Sequence, residues 1–220
     1  MGSLFTSLDL YCERTDASFW SEPFNAITNL LIVAAGLWGL AQVRARRTGL
    51  FAELLCWGVV IIGIGSLLFH TTAIELTKWA DIIPIAVFTI AMTLFGLRRY
   101  GGLSWPQTWV SFILYVLVIG TVTALVPAWL REATNGTTGY LPAFGAFVFC
   151  GIVALLRGSS AGWYCLACSA ILLVGFFFRA IDPEVCDGFA LGTHFLWHTS
   201  IAVLLAVNLL GVAKFGAARG

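Results

Sequence analysis

The chain contains three histidines, His70, His194 and His198, and their type and spacing point most directly to chemistry. His194 and His198 stand four apart, so on a helix both imidazoles lie on one face, one turn apart, as two ligands of a single ion would. His70 closes another predicted helix at the same depth. Three His with an open fourth position is the ligand set of a catalytic zinc, whereas a structural zinc is usually closed by four ligands that include Cys. Ser66, one turn before His70, and Asp81, near the start of the following helix, add a hydroxyl and a carboxylate at that depth. Asp81 is suited to deprotonate a metal-activated water, and Ser66 to donate to a developing oxyanion. A haem is disfavoured, because two axial ligands one turn apart on one helix cannot face each other across a ring.

Each residue also has a plainer reading. A His pair at this spacing can bond across a helix bundle, Ser66 can be a small packing residue, and Asp81 can pair with Lys78 three residues away. Convergence favours the metal site: three His, one Asp and one Ser on three helices reach one depth on one side.

The elements that must position them are membrane helices. Of the 220 residues, 60% are hydrophobic and only 10% charged, and mean hydropathy is +0.93. That leaves too little polar surface for a water-soluble globule. A hydrocarbon core of about 30 Å takes about 20 apolar residues per helix, and such runs fall near 22–43, 51–70, 77–97, 107–129, 139–156, 161–179 and 189–212. Each is continuously apolar and longer than a barrel strand, which predicts an all-α bundle of seven transmembrane helices in one membrane domain. Met1 to Cys12 has neither a basic start nor an apolar run, so no cleavable signal is expected there, and residues 1–21 form an extracytoplasmic N-terminal segment.

Charge sets the expected orientation. Arg44, Arg46, Arg47, Arg98, Arg99, Arg157, Lys214 and Arg219 all fall in alternate links, and the acids fall mainly in the others. Lys and Arg are retained on the cytoplasmic side, which places the N-terminus outside, the C-terminus inside and the His-bearing ends away from the cytoplasm.

Cys56, Cys150, Cys165 and Cys168 lie within predicted helices, where thiols act as small apolar groups. Cys12 and Cys186 share the outer compartment, where a disulfide between them is chemically reasonable. Asp9, Glu13, Asp16 and Glu22 form an acidic cluster of hard oxygen ligands that would suit calcium. The same stretch also reads as a helix start, with Ser21 as cap, Pro23 in the first turn and Glu22 at the positive dipole end. Asn25 and Asn29 continue as a polar stripe, and Trp20, Trp79, Trp105, Trp109, Trp129 and Trp163 fit an interfacial belt.

These segments together resemble the alkaline ceramidases, specifically a bacterial-type member, within a larger group of seven-helix metal-dependent hydrolases that includes the adiponectin-type receptors. The resemblance rests on Tyr11-Cys12-Glu13, Glu22-Pro-Phe-Asn25, Ser66-Leu-Leu-Phe-His70, Asp81, Ile181-Asp-Pro-Glu-Val-Cys186 and His194-Phe-Leu-Trp-His198. It implies zinc held by His70, His194 and His198, a water activated by Asp81, Ser66 at the oxyanion, Trp197 beside the substrate and a Cys12–Cys186 disulfide. Members with a calcium site show an Asp just before the aromatic residue and an Asn after the Glu, where this chain has Leu10 and Thr15.

The expected activity is zinc-dependent hydrolysis of the amide of ceramide or another N-acyl lipid, releasing a fatty acid. The alternatives are hydrolysis of another acyl lipid and a signalling role like that of the adiponectin-type receptors. A membrane lipid is the expected partner, with no nucleic acid and no obligatory protein partner. A transporter is disfavoured by the lack of clearly broken helices or midplane charges in the sequence.

Overall fold

The computed structural model describes residues 3–217. Arg219, counted above among the charges that set orientation, lies outside the described residues. Eight α-helices follow in chain order: α1 Pro23–Ala45, α2 Leu50–Thr72, α3 Glu75–Phe95, α4 Trp105–Leu125, the short α5 Ala128–Ala133, α6 Leu141–Leu156, α7 Ala161–Ile181 and α8 His194–Phe215. All but α5 belong to spans long and apolar enough to cross a membrane, α6 together with the 3-10 turn Thr137–Tyr140 that precedes it, giving the seven expected spans. Helices close every internal backbone hydrogen bond within one segment, which lipid demands because it offers no partner of its own.

Three boundaries differ from the sequence-based expectation. The fourth span stops at Leu125, where Val126 turns extended ahead of Pro127, because the residue before a proline is driven out of the helical region. The third span runs on past α3 as a π-helical turn, Gly96–Tyr100. The last helix begins at His194 rather than near residue 189, after a reversal at Gly192 with φ of 64°.

Helices α1 and α2 pack closely along their length, α8 lies against α1 and α7, and α6 continues the layer beyond α7. Small residues permit this. A Cβ on Gly36 of α1 would collide with the Val60 backbone of α2, and one on Gly63 of α2 with the Val33 backbone of α1. Lipid gives helices no hydrophobic reason to associate, so close approach and dispersion contacts must supply the attraction. Gly65 has a more specific consequence, because a Cβ there would run into the carbonyl of Ala80 on α3. The residues that follow these two in sequence are Ser66 and Asp81, so this contact brings the hydroxyl and the carboxylate together.

One end of the bundle gathers the start of α1, the end of α2, the start of α3, the end of α7 and the start of α8. The N-terminal segment covers that end. It pairs with the α2–α3 link through a Ser7–Ile74 antiparallel bridge, with the Leu8 amide donating to the Ala73 carbonyl at 2.7 Å. The Cys12–Cys186 disulfide ties it to the link between α7 and α8.

Candidate metal centre and active site

His70 comes from the last turn of α2, and His194 and His198 come from the first turns of α8. All three are at most 2% exposed, and a ligand atom from each lies within 4.8 Å of the others. Their rings meet at centroid separations of 5.1, 4.6 and 4.6 Å.

The orientation of each ring has an identifiable cause. The Nδ1–H of His70 donates to Glu22 Oε2 at 2.6 Å, leaving Nε2 as its free nitrogen. The Thr28 hydroxyl gives its proton to the Phe24 carbonyl at 2.7 Å, so it can accept from Nδ1–H of His198 at 3.1 Å. His194 is set through its backbone. The buried Asp182 carboxylate accepts from the Thr193 amide at 2.7 Å and the His194 amide at 2.9 Å, starting α8 at His194, and its other oxygen accepts from the Cys12 amide at 3.2 Å. Tyr11 then stacks on the His194 ring with centroids 3.6 Å apart. Burial pushes the Tyr11 phenol up, despite the opposing charge of Arg179, so it remains a neutral ring over the site.

A divalent metal fits this donor set. Outer partners that hold a ring by one nitrogen and free the other are typical of metal-binding His. His194 Nδ1 is buried with no hydrogen-bond partner, a cost that coordination would remove. His70, His194 and His198 form the one group of three or more His, Cys, Asp or Glu with metal-holding proximity among the described residues.

Ser66, Asp81, His194, Trp197 and His198 line the head of a cavity of ≈ 80 Å³ whose apolar remainder includes Phe88, Met92, Cys150, Cys165 and Leu205. A wider cavity of ≈ 730 Å³ lies between α3, α4 and α6, and Thr89, Tyr140 and Arg179 line both. The described structure pairs Lys78 with Glu75 rather than with Asp81, at 2.6 Å. Asp81 therefore faces the cavity instead of serving a surface ion pair. Trp197 is buried between Tyr140 and Phe176.

The acidic cluster is arranged differently from the sequence expectation. Asp9, Glu13, Asp16 and Glu22 do not gather into a metal-holding group among the described residues. Glu22 pairs with Arg14 and His70, and Asp16 accepts from the Ser18 amide. Glu13 caps α1 from a distance, accepting from the Phe24 and Asn25 amides at 2.6 and 2.8 Å. Burial pushes the Glu13 carboxyl above its usual range, while those two amides pull it back. Ser21 does not cap α1, since its hydroxyl accepts instead from the Thr15 and Asp16 amides.

Glu22 as the partner of His70, Asp182 as the anchor of α8, Thr28, Tyr11, Arg14 and Arg179 were not assigned these roles from sequence. Arg179 donates to the Tyr11 hydroxyl at 2.8 Å and lies over the Tyr11, Tyr140 and Trp197 rings at 5.3 to 5.8 Å. Such links join residues up to 170 positions apart, so no local spacing signals them.

The family model described as Ceramidase matches residues 6–215, nearly the whole chain. None of the curated proteins compared with the chain matches it.

Asp182→Ala leaves the Thr193 and His194 amides without their acceptor, and should cost about 1–3 kcal/mol of stability together with a measurable loss of bound metal. Asp182→Asn, which keeps an acceptor oxygen, should lose less of both. Thermal unfolding and elemental analysis in detergent read the two effects, and equal behaviour of the Ala variant and wild type would remove the anchoring role.

Proposed function

The chain belongs to the ceramidase family, and from that premise we propose that it is a zinc-dependent amidohydrolase of the membrane, cleaving ceramide or a related N-acyl lipid. Family membership supports ceramide hydrolysis, an amidohydrolase reaction on a lipid, and the seven apolar helices make the chain a multi-pass membrane protein. The observation that carries the finer reading is the meeting of three buried His with Asp81 and Ser66 at the head of an apolar cavity.

His70, His194 and His198 would hold zinc, which when bound supplies Lewis acidity that polarises a carbonyl and acidifies water. Asp81 takes the proton of the attacking water and delivers it to the departing amine nitrogen, so that the amide and one water yield a fatty acid and a free amine. The Ser66 hydroxyl donates to the oxygen that gains charge as the carbonyl is attacked. Trp197 walls the cavity beside the scissile group. The apolar lining below takes the acyl chain, and the wider cavity between α3, α4 and α6 offers a path from the bilayer.

Site and disulfide lie at one end of the bundle, while Arg44, Arg98, Arg99, Arg157 and Lys214 lie at the other. Retention of basic residues in the cytoplasm supports a non-cytoplasmic active site, with the N-terminal segment outside.

Purified protein should release fatty acid from ceramide or another N-acyl lipid, and Asp81→Asn should keep its metal but lose most turnover. Ser66→Ala should lose roughly a hundredfold, as expected for one oxyanion donor. An Asp81→Asn variant within a few-fold of wild type would eliminate Asp81 as the base.

Sidedness has its own test. In sealed cells an impermeant maleimide should label Glu132→Cys, in α5, and spare Ser160→Cys, at the start of α7; both positions are exposed and the four free native thiols are buried. The reverse pattern would place the site on the cytoplasmic side.

A further inference from the structure

The residues expected to hold calcium have a cation already. Arg14 lies among them, and the side chains of Arg14 and Glu22 are each 2% exposed. Its guanidinium makes three contacts with oxygens from three stretches of chain: Nε donates to Glu22 Oε1 at 2.5 Å, one terminal nitrogen to the Asp16 carbonyl at 2.9 Å, and the other to the His70 carbonyl at 3.3 Å. A hard cation at this place would need the same kind of oxygens, drawn from carboxylate and backbone carbonyl. Both Glu13 oxygens are committed to backbone amides of α1. The residues do not fit calcium.

We propose that Arg14 replaces a structural calcium in this chain and acts as a positioning residue for His70. The relay is short. Arg14 holds Glu22 through Oε1, and Glu22 accepts from His70 Nδ1–H through Oε2. Arg14 also grips the backbone of the same histidine. Without the guanidinium, the buried Glu22 Oε1 would lose its donor, and the carboxylate would be held less firmly where Oε2 accepts from His70 Nδ1–H. The guanidinium also pins the N-terminal segment to the end of α2, so one side chain fixes both the cover of the site and the orientation of a ligand. Because it is covalently attached, it cannot be removed by a fall in calcium concentration.

The link to metal retention rests on the zinc reading above, whereas the replacement of calcium does not, and the experiment separates them. Full-length protein is dialysed against calcium chloride and analysed for bound metals, and its thermal unfolding is followed with and without calcium. Wild type should retain no stoichiometric calcium, and its midpoint should not move. One calcium per chain, or a midpoint that rises with calcium, overturns the proposal even if every variant misfolds. Arg14→Met should unfold at lower temperature and release zinc to a chelator about 10–100-fold more readily, the usual effect of losing an outer partner of a metal-binding His. Arg14→Lys, which keeps the charge, should recover part of both. Zinc retention in Arg14→Met equal to wild type overturns the positioning role. If wild type holds no zinc, the zinc reading fails by itself, and the calcium result and the Arg14→Met midpoint decide the replacement.

Discussion

Three imidazoles buried side by side at the end of an apolar bundle impose a demand that shapes the rest of the molecule. Each has a nitrogen that must be free to face the common centre and another that must be satisfied or shielded, and in a low dielectric an unpaired polar atom is costly. Glu22 meets the demand for His70 and Thr28 meets it for His198, while Asp182 fixes the backbone from which His194 projects. These partners lie at the start of α1 and just after α7, so the histidines and their partners join four helices at one end of the bundle.

The bundle can satisfy that requirement because its helices approach one another closely. Gly36 and Gly63 let the α1 and α2 backbones touch, and Gly65 does the same for α2 and α3 one residue before Ser66. With little besides packing to hold helices together in lipid, the positions of small residues decide which polar groups become neighbours. The N-terminal segment then closes the site, held by the Cys12–Cys186 disulfide, by Arg14 and by the stacking of Tyr11 on His194. Arg179, reached by the Tyr11 hydroxyl, joins this cover to both cavities.

The legible part of this arrangement was periodic or chemically unusual. Long apolar runs marked the spans to within a few residues, except where Pro127 shortened α4 and Asp182 delayed α8. The His194–His198 spacing, the isolated His70 and the intramembrane Asp81 marked the candidate site because such groups are scarce in lipid. The partners were hidden for a physical reason. Glu22 and Asp182 looked like ordinary charges at helix ends, a position where acids need no ligand to explain them, and only three-dimensional proximity shows what they hold. The acidic N-terminal segment suggested calcium by composition, whereas Glu13 bonds to backbone amides of α1 and Glu22 to Arg14 and His70.

The central claim is that the convergent histidines form a zinc centre, and elemental analysis of the full chain purified without added metal addresses it directly. One zinc per chain in wild type, with most of it lost in both His70→Ala and His198→Ala while seven-helix circular dichroism persists, is the predicted result. A wild-type protein free of zinc, or zinc content unchanged in both variants, would contradict the account.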